Sequence, residues 1–253
     1  MTGPSVSVVI PAYNEEQGIA TVVQRVGEWL DEHDLDHEII VVDNASEDTT
    51  VSVLAPLVDG ERVQLLQNDS NHGKGYSMRR GMLAARGELR LHCDADCHTS
   101  LPSLERMLEL IQDADVVVGS RLAAGAQVGR RQPLARRIVG RSFVDLCRVI
   151  LSEPTRDLFC GFKLWRAPAA IDAYSRTRLD GWTFDAETLA MARALGYRIR
   201  EVGIHWADRP GSRLSMRKVF VPVVRELIAA RRHVTAEAAA APERLVPETA
   251  ERS

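Results

Sequence analysis

The sequence predicts an α/β fold: a mostly parallel sheet with helices on both faces, in a single domain that ends in a basic helical region. Three observations predict it. Short β-branched runs alternate with segments of helical spacing over about the first 120 residues, the pattern of strands covered on both faces. Polar clusters follow the strands, at Tyr13-Asn14-Glu15, Asp43-Asn44, Asn71 to Gly75 and Asp94 to Asp96, and such sheets bind ligands at the carboxyl ends of their strands. The chain has 253 residues, of which 45% are hydrophobic, enough for one large core or two small ones.

The elements follow in order. SVSVVI, residues 5–10, is a buried strand that Pro11 ends. Ile19, Val22, Val23, Val26, Trp29 and Leu30 recur at helical spacing over 15–33. A second strand spans 38–42, and Ser46 or Asp48 caps a helix over about 48–58. A third strand, 62–66, leads into the glycine-rich NDSNHGKG and a helix over 74–86. A fourth strand covers 88–93, a helix 101–112 and a fifth strand 115–118.

The second half is less regular. Residues 130–151 carry Leu134, Ile138, Phe143, Leu146, Val149 and Ile150 at helical spacing, with arginines between them. Helices are expected at about 171–176 and 184–195, with a strand at about 197–205. A basic amphipathic helix, 216–233, is expected to break near Pro222. Residues 234–253 are rich in Ala, Glu and Pro and are expected to form a disordered or partly helical tail.

A net charge of −3 hides an asymmetry: residues 1–120 carry 21 acidic against 8 basic side chains, and residues 121–253 carry 14 against 24. A basic half suits an anionic partner. Nucleic acid is not the expected one, because aromatics make up only 5% of the chain and do not interleave with the arginines. No apolar run reaches the roughly 18–20 residues that span a bilayer. MTGPSVSVVIPAYNEE has no basic n-region, so no signal peptide is read and a cytoplasmic location is expected. Cys93, Cys97, Cys147 and Cys160 show no disulfide-framework spacing, in keeping with a reducing compartment.

The chemistry concentrates in His92-Cys93-Asp94-Ala95-Asp96-Cys97-His98. A zinc site usually draws four N/S ligands from two separated pairs, and Cys147 and Cys160 are isolated. A redox pair usually has two intervening residues rather than three. The cysteines and His92 therefore read as packing or surface residues. Asp94 and Asp96, two apart where a strand runs out, can face the same way. Such a pair suits a hard cation, Mg²⁺ or Mn²⁺, that bridges phosphates. Asp-x-Asp alone recurs by chance; its place after the fourth strand gives it weight.

VVIPAYNEE, VVDNASEDTT, NHGKGYSMRRGMLAARG, HCDADCHT, CGFKLWRAPA and WTFDAETLAMARALGYRIREV, in this order over about residues 5–218, closely resemble the family 2 glycosyltransferases of the GT-A fold. The nearest branch is the polyprenyl-phosphate (dolichyl-phosphate) glucosyltransferases, with the dolichyl-phosphate mannose synthases a step away. The resemblance implies one GT-A domain over 1–233, with a nucleotide-sugar half (5–120) and an acceptor half (121–233). It implies that Pro11, Tyr13, Asn14, Glu15 and Asp43 hold the nucleotide, with Lys74 near the donor ribose or sugar. Asp94, Ala95 and Asp96 would flank the diphosphate, with Asp94 and Asp96 on the metal, Mg²⁺ or Mn²⁺. ADRPGSRLS resembles a loop that covers the diphosphate, so Arg209, Ser212 and Arg213 join the donor site. Arg121, Arg136 and Lys163 are the acceptor-phosphate candidates, since guanidinium forks suit phosphate.

The implied reaction is a single inverting displacement that moves a hexose, expected to be glucose, from a UDP-sugar to a polyprenyl-phosphate-type acceptor. Asp185 in WTFDAE matches an acid near the acceptor in relatives, as base or orienting residue; a helix N-terminal acid favoured by the dipole is the plain alternative. Glu187 is a second candidate. The arginine-rich stripe of 134–150 could rest on lipid phosphates or pack on the domain, so peripheral contact at the inner face of a membrane is expected. Many members of the branch carry membrane anchors that this sequence does not show. A soluble acceptor, such as a sugar phosphate or a natural-product intermediate, therefore stays open. A nucleotidyltransferase would place a basic glycine-rich loop where PAYNEE stands, and a sugar-nucleotide-binding scaffold would be expected to lose an aspartate or Lys74.

Overall fold

The computed structural model describes residues 4–129, 134–206 and 216–240. In chain order the elements are β1 (Val6–Ala12), α1 (Ile19–Glu32), β2 (His37–Asp43), α2 (Thr50–Leu54), β3 (Val63–Gln67), α3 (Lys74–Ala84), β4 (Leu89–Cys93), α4 (Leu104–Leu110), β5 (Val116–Ser120), β6 (Gln127–Val128), α5 (Leu134–Leu151), β7 (Phe162–Arg166), α6 (Ala167–Arg176), α7 (Phe184–Ala194), β8 (Ile199–Gly203), β9 (His205–Trp206) and α8 (Met216–Ala240). Among the described residues, one sheet runs in the order β3-β2-β1-β4-β7-β5-β8, and β6 and β9 form a short parallel pair. Pairing is parallel for β1 with β2 and β4, for β2 with β3, and for β5 with β8.

Every residue of β1 is buried, as a central strand covered on both faces requires. The period of two divides its side chains. Val8 and Ile10 join a core with Ile19, Val22 and Val26 of α1 and Leu104 of α4. Val9 joins the opposite core with Met78 and Met82 of α3. Burying each such side chain contributes about 1.5–3 kcal/mol. The helical spacing read in α1 is the face that packs: Ile19, Val22, Val23, Val26 and Leu30 are all buried.

Three differences from the sequence reading matter. First, β7 was not foreseen. FKLWR inserts antiparallel between β4 and β5, and its Lys163 and Arg166 mask a strand that the sheet encloses. Second, α8 is one helix from Met216 to Ala240, Pro222 included; proline's fixed φ is compatible with a helix, and the lost hydrogen bond and the ring's crowding of the preceding turn are tolerated here. Third, of the two readings of the tail, disordered or partly helical, residues 234–240 take the helical one and continue α8 past the expected boundary at 233. Leu227, Ala230 and Val234 are buried in the core shared with α5 and α7, and this burial outweighs a weakly hydrophobic composition. Residues 241–253 lie outside the described residues.

On α5, Phe143, Cys147 and Leu151 are buried while Val149 is 77% exposed, so this amphipathic helix packs on the domain. Among the described residues, no helix is long and apolar enough to cross a membrane. The parallel strands β1, β2 and β4 all end on one rim, and the N-terminus of α3 meets them there.

Candidate active site

That rim holds a cleft of about 370 Å³. Of the residues expected at the donor, Pro11, Tyr13, Glu15, Lys74, Asp94, Ala95 and Asp96 line it. Asn44, Asn71 and Gly73, read in the sequence only as parts of strand-end polar clusters, line it too, as do Ala12 and Ser77, which the sequence reading missed. Asn44 was legible as a strand-end polar residue; Ser77 gave no signal, because only the approach of α3 brings it to the rim.

Asn14, which is exposed, and Asp43, which is buried, do not line the cleft. Asn14, at φ 54°, accepts a 2.8 Å bond from Glu47 N on its Oδ1, and its own N–H donates to Ser46 Oγ. Asp43 is buried and accepts from Ser46 N at 3.2 Å. Asp43 thereby closes the turn after β2, and Asn14 ties the loop after β1 to that turn. Asn44 does the same for the next loop: its Nδ2 donates to Asn71 Oδ1 at 2.8 Å, and its Oδ1 accepts from Asn68 Nδ2 and His72 N.

Gly73 opens α3 at φ +97°, a left-handed conformation that favours glycine, and a Cβ there would lie 2.4 Å from the Asp180 carbonyl oxygen. This close approach seats Lys74 over the cleft and points the N-terminus of α3 into it, where backbone N–H groups favour an anion. Lys74 Nζ lies 2.7 Å from the Asp94 carboxylate and 5.9 Å from the centre of the Phe184 ring.

Asp94 is gripped from three sides. Lys74 holds one side, His92 Nε2 lies 3.2 Å from Oδ1, and its own backbone N–H donates to Gly161 O at 2.9 Å. A Cβ on Gly161 would fall 2.0 Å from the Asp94 Cγ, so the glycine of CGFK makes room for this carboxylate. Burial alone would push the Asp94 carboxyl up; the Lys74 charge and the His92 contact outweigh it and hold the group far below the usual carboxylate range.

A second set of charges lies behind the first. Antiparallel pairing sets Lys163 of β7 opposite His92 of β4. Lys163 is 1% exposed, and its Nζ donates to Asp185 and to Cys160 O. Asp185 is buried and lies 3.6 Å from His92 Nδ1. Burial pushes the His92 imidazole below its ordinary value, more than the Asp185 and Asp94 carboxylates raise it. The structure thus places Lys163 and Asp185 in a buried ion pair. The pair lies inside because both side chains hang from elements that the sheet and α7 enclose.

Arg121 is also engaged: its guanidinium grips Asp157 at 2.7 and 2.8 Å, and its backbone N–H bonds the same carboxylate. The Arg121 side chain is a third exposed, and its guanidinium lies 5.3 Å from the Trp206 ring centre. The Arg136 side chain and Arg209, Ser212 and Arg213 lie outside the described residues. Glu187 is buried and accepts from the N–H groups of Arg178 and Leu179. The cysteines depart from expectation at one position. Cys93 is disulfide-bonded, at the point where the chain turns from β4 into a short 3-10 helix; Cys147 and Cys160 are free and buried.

Residues 7–173 match the sequence model of glycosyl transferase family 2. The chain belongs to that family. The glycosyltransferase is 30% identical over 249 residues to the dolichyl-phosphate beta-glucosyltransferase of Drosophila melanogaster, covering 89% of this chain and 76% of that protein. The Mus musculus protein of the same name is 31% identical over 223 residues, covering 82% and 69%. Among solved structures, the fold is similar to glucosyl-3-phosphoglycerate synthase from Mycobacterium tuberculosis in complex with Mn²⁺, UDP and glucosyl-3-phosphoglycerate. The TM-score is 0.61 at 17% identity, over 96% of this chain and 82% of that one. It is also similar to S. aureus TarS 1-349 in complex with UDP-GlcNAc, with a TM-score of 0.58 at 17% identity, over 93% and 71%. The α/β sheet described above is therefore the GT-A fold.

The donor set of the glycosyltransferase fits a hard divalent cation. Asp94 and Asp96 bring carboxylate oxygens to one cleft. Among the described residues, no group of three or more His, Cys, Asp or Glu side chains could hold an ion alone. Two protein carboxylates completed by substrate phosphate oxygens is the usual arrangement for Mg²⁺ and Mn²⁺ sites of this kind.

Proposed function

We propose that this glycosyltransferase moves glucose from UDP-glucose to the phosphate of a polyprenyl phosphate, with inversion at the anomeric carbon. The observation that carries the reading is the meeting of Lys74, Asp94 and Asp96 in one cleft at the strand ends. The chain that builds it aligns over 89% of its length with a dolichyl-phosphate beta-glucosyltransferase.

An acceptor phosphate oxygen attacks the anomeric carbon as the bond from that carbon to the diphosphate breaks, and UDP leaves. Lys74 and the first turn of α3 face the diphosphate with positive potential. A divalent cation, Mg²⁺ or Mn²⁺, held by Asp94 and Asp96 would offset the charge that grows on the departing diphosphate. Gly161 and His92 keep Asp94 where it can serve. A phosphate monoester is already anionic near neutral pH, so the acceptor needs no base. Asp185, sealed against Lys163, orients rather than takes a proton. Tyr13, Glu15 and Ala95 line the walls for the nucleoside. The acceptor docks from the side of residues 121–233, at the cytoplasmic face of a membrane.

The test is transfer by purified protein with Mg²⁺ or Mn²⁺, over a panel of UDP- and GDP-sugars, with and without a short polyprenyl phosphate. Metal-dependent transfer of glucose to the lipid, reduced at least about 100-fold in Asp96→Ala, is expected. UDP release that ignores the lipid would move the acceptor to a soluble phosphate.

A further inference from the structure

His92 has no exposed surface, yet its ring lies between two carboxylates. Nε2 is 3.2 Å from Asp94 Oδ1, and Nδ1 is 3.6 Å from Asp185 Oδ1. Tyr174, buried on α6, has its hydroxyl 3.4 Å from Nδ1. When that hydroxyl donates to Nδ1, the ring's proton sits on Nε2 and is offered to Asp94. The ring is also clamped: it stacks on Phe184 with centroids 5.7 Å apart, and its strand neighbour Lys163 ties Asp185 in place. Lys74 Nζ lies 2.7 Å from each Asp94 oxygen, whereas His92 Nε2 approaches Oδ1 alone, at 3.2 Å. Lysine is a flexible point charge; the imidazole is a rigid directional donor and fixes the plane of the carboxylate.

We propose that His92 is a positioning residue for the donor site: its Nε2–H sets the orientation of the Asp94 carboxylate toward the metal–diphosphate, and Tyr174, Asp185 and Lys163 brace it from behind. This rests on the reading of Asp94 and Asp96 as the metal–diphosphate site. Outer hydrogen-bond partners of metal-binding groups are typically worth 10–100-fold in affinity or activity.

The experiment is calorimetric titration of UDP in the presence of Mn²⁺, with thermal unfolding alongside, on the wild type and three variants. His92→Phe keeps the stacked ring and removes both nitrogens. His92→Gln reaches the Nε2 position with an amide N–H, whereas His92→Asn reaches only the Nδ1 position. The expected result is UDP–Mn²⁺ binding weakened about 10–100-fold in His92→Phe and His92→Asn, with most of it recovered in His92→Gln. Binding within about twofold of wild type in His92→Phe overturns the proposal, as do equal affinities in His92→Gln and His92→Asn. Should His92→Phe fail to fold, the contrast between Gln and Asn decides alone. The titration needs neither sugar nor acceptor. A wild type that binds UDP with Mn²⁺ but glucosylates no polyprenyl phosphate therefore sinks the acceptor reading and leaves this one standing.

Discussion

Lys74 Nζ and the Asp94 carboxylate lie 2.7 Å apart across the cleft, one from the first turn of α3 and the other just past the end of β4. The pair joins a glycine-rich loop to a strand end 20 residues away, so the lysine organises the protein as well as facing the ligand. In Lys74→Gln, Asp94 keeps its burial and loses its counter-charge. A charge-assisted bond of this kind is worth about 1.5–3 kcal/mol. We expect stability to fall by about that amount in chemical denaturation, and UDP binding with Mn²⁺ to weaken at least about tenfold. An unchanged denaturation midpoint would show that the pair carries no structural load.

Gly161→Ala separates folding from activity. The new methyl would fall 2.0 Å from the Asp94 Cγ, so the carboxylate must turn away. β7, which begins at the next residue, stays paired with β4 and β5. The expected result is a folded protein with a cooperative melt and transfer activity reduced about 100-fold or more, on the scale of removing one preorganised electrostatic contact. Wild-type turnover in this variant would mean that Asp94 works from another position.

Glu187 supplies a pH dependence. Burial pushes its carboxyl up, more than the N–H groups of Leu179 and Arg178 and the charges of His233 on α8 and Arg79 on α3 pull it down. Among the described residues, its Oε1 has no hydrogen-bond partner. A carboxyl raised on folding binds its proton more tightly in the native state. Its contribution to stability is present below the unfolded value of about 4.3 and is lost as pH rises through the folded value. Glu187→Gln removes the charge and keeps an acceptor for the two N–H groups. The melting temperature of wild type should therefore fall relative to Glu187→Gln as pH rises from about 4.5 toward 7. Parallel pH profiles for the two proteins would rule this out.

Arg121→Ala strands Asp157, which is 3% exposed and bonded through both oxygens to this guanidinium. Removing one member of a buried pair costs about 3–5 kcal/mol. Adding Asp157→Asn to Arg121→Ala should restore part of the loss, which a double-mutant cycle in urea measures. If Arg121 serves only the acceptor, Arg121→Ala will lower activity and leave the urea midpoint in place.

The sequence by itself determined the alternation of strands and helices, the rim on which the polar clusters meet, and most of the cleft wall. These are local properties: side-chain period follows from backbone geometry, and parallel strands must deliver their carboxyl ends to one side. The order of six motifs also carried the family. The tertiary structure decided which charges stay open to a ligand. Lys163, Asp185 and Arg121 look like free functional groups in a linear string, but each meets a partner 22 or 36 residues away. The pairing of Lys163 with Asp185 depends on β7, an antiparallel insertion that no local pattern announced. Once β7 lies against β4, Lys163 faces His92 across the strands, and Asp185 of α7 closes over both. Burial then leaves ionised side chains no stable choice except one another, and long-range pairing of this kind is written in the packing rather than in the spacing of residues.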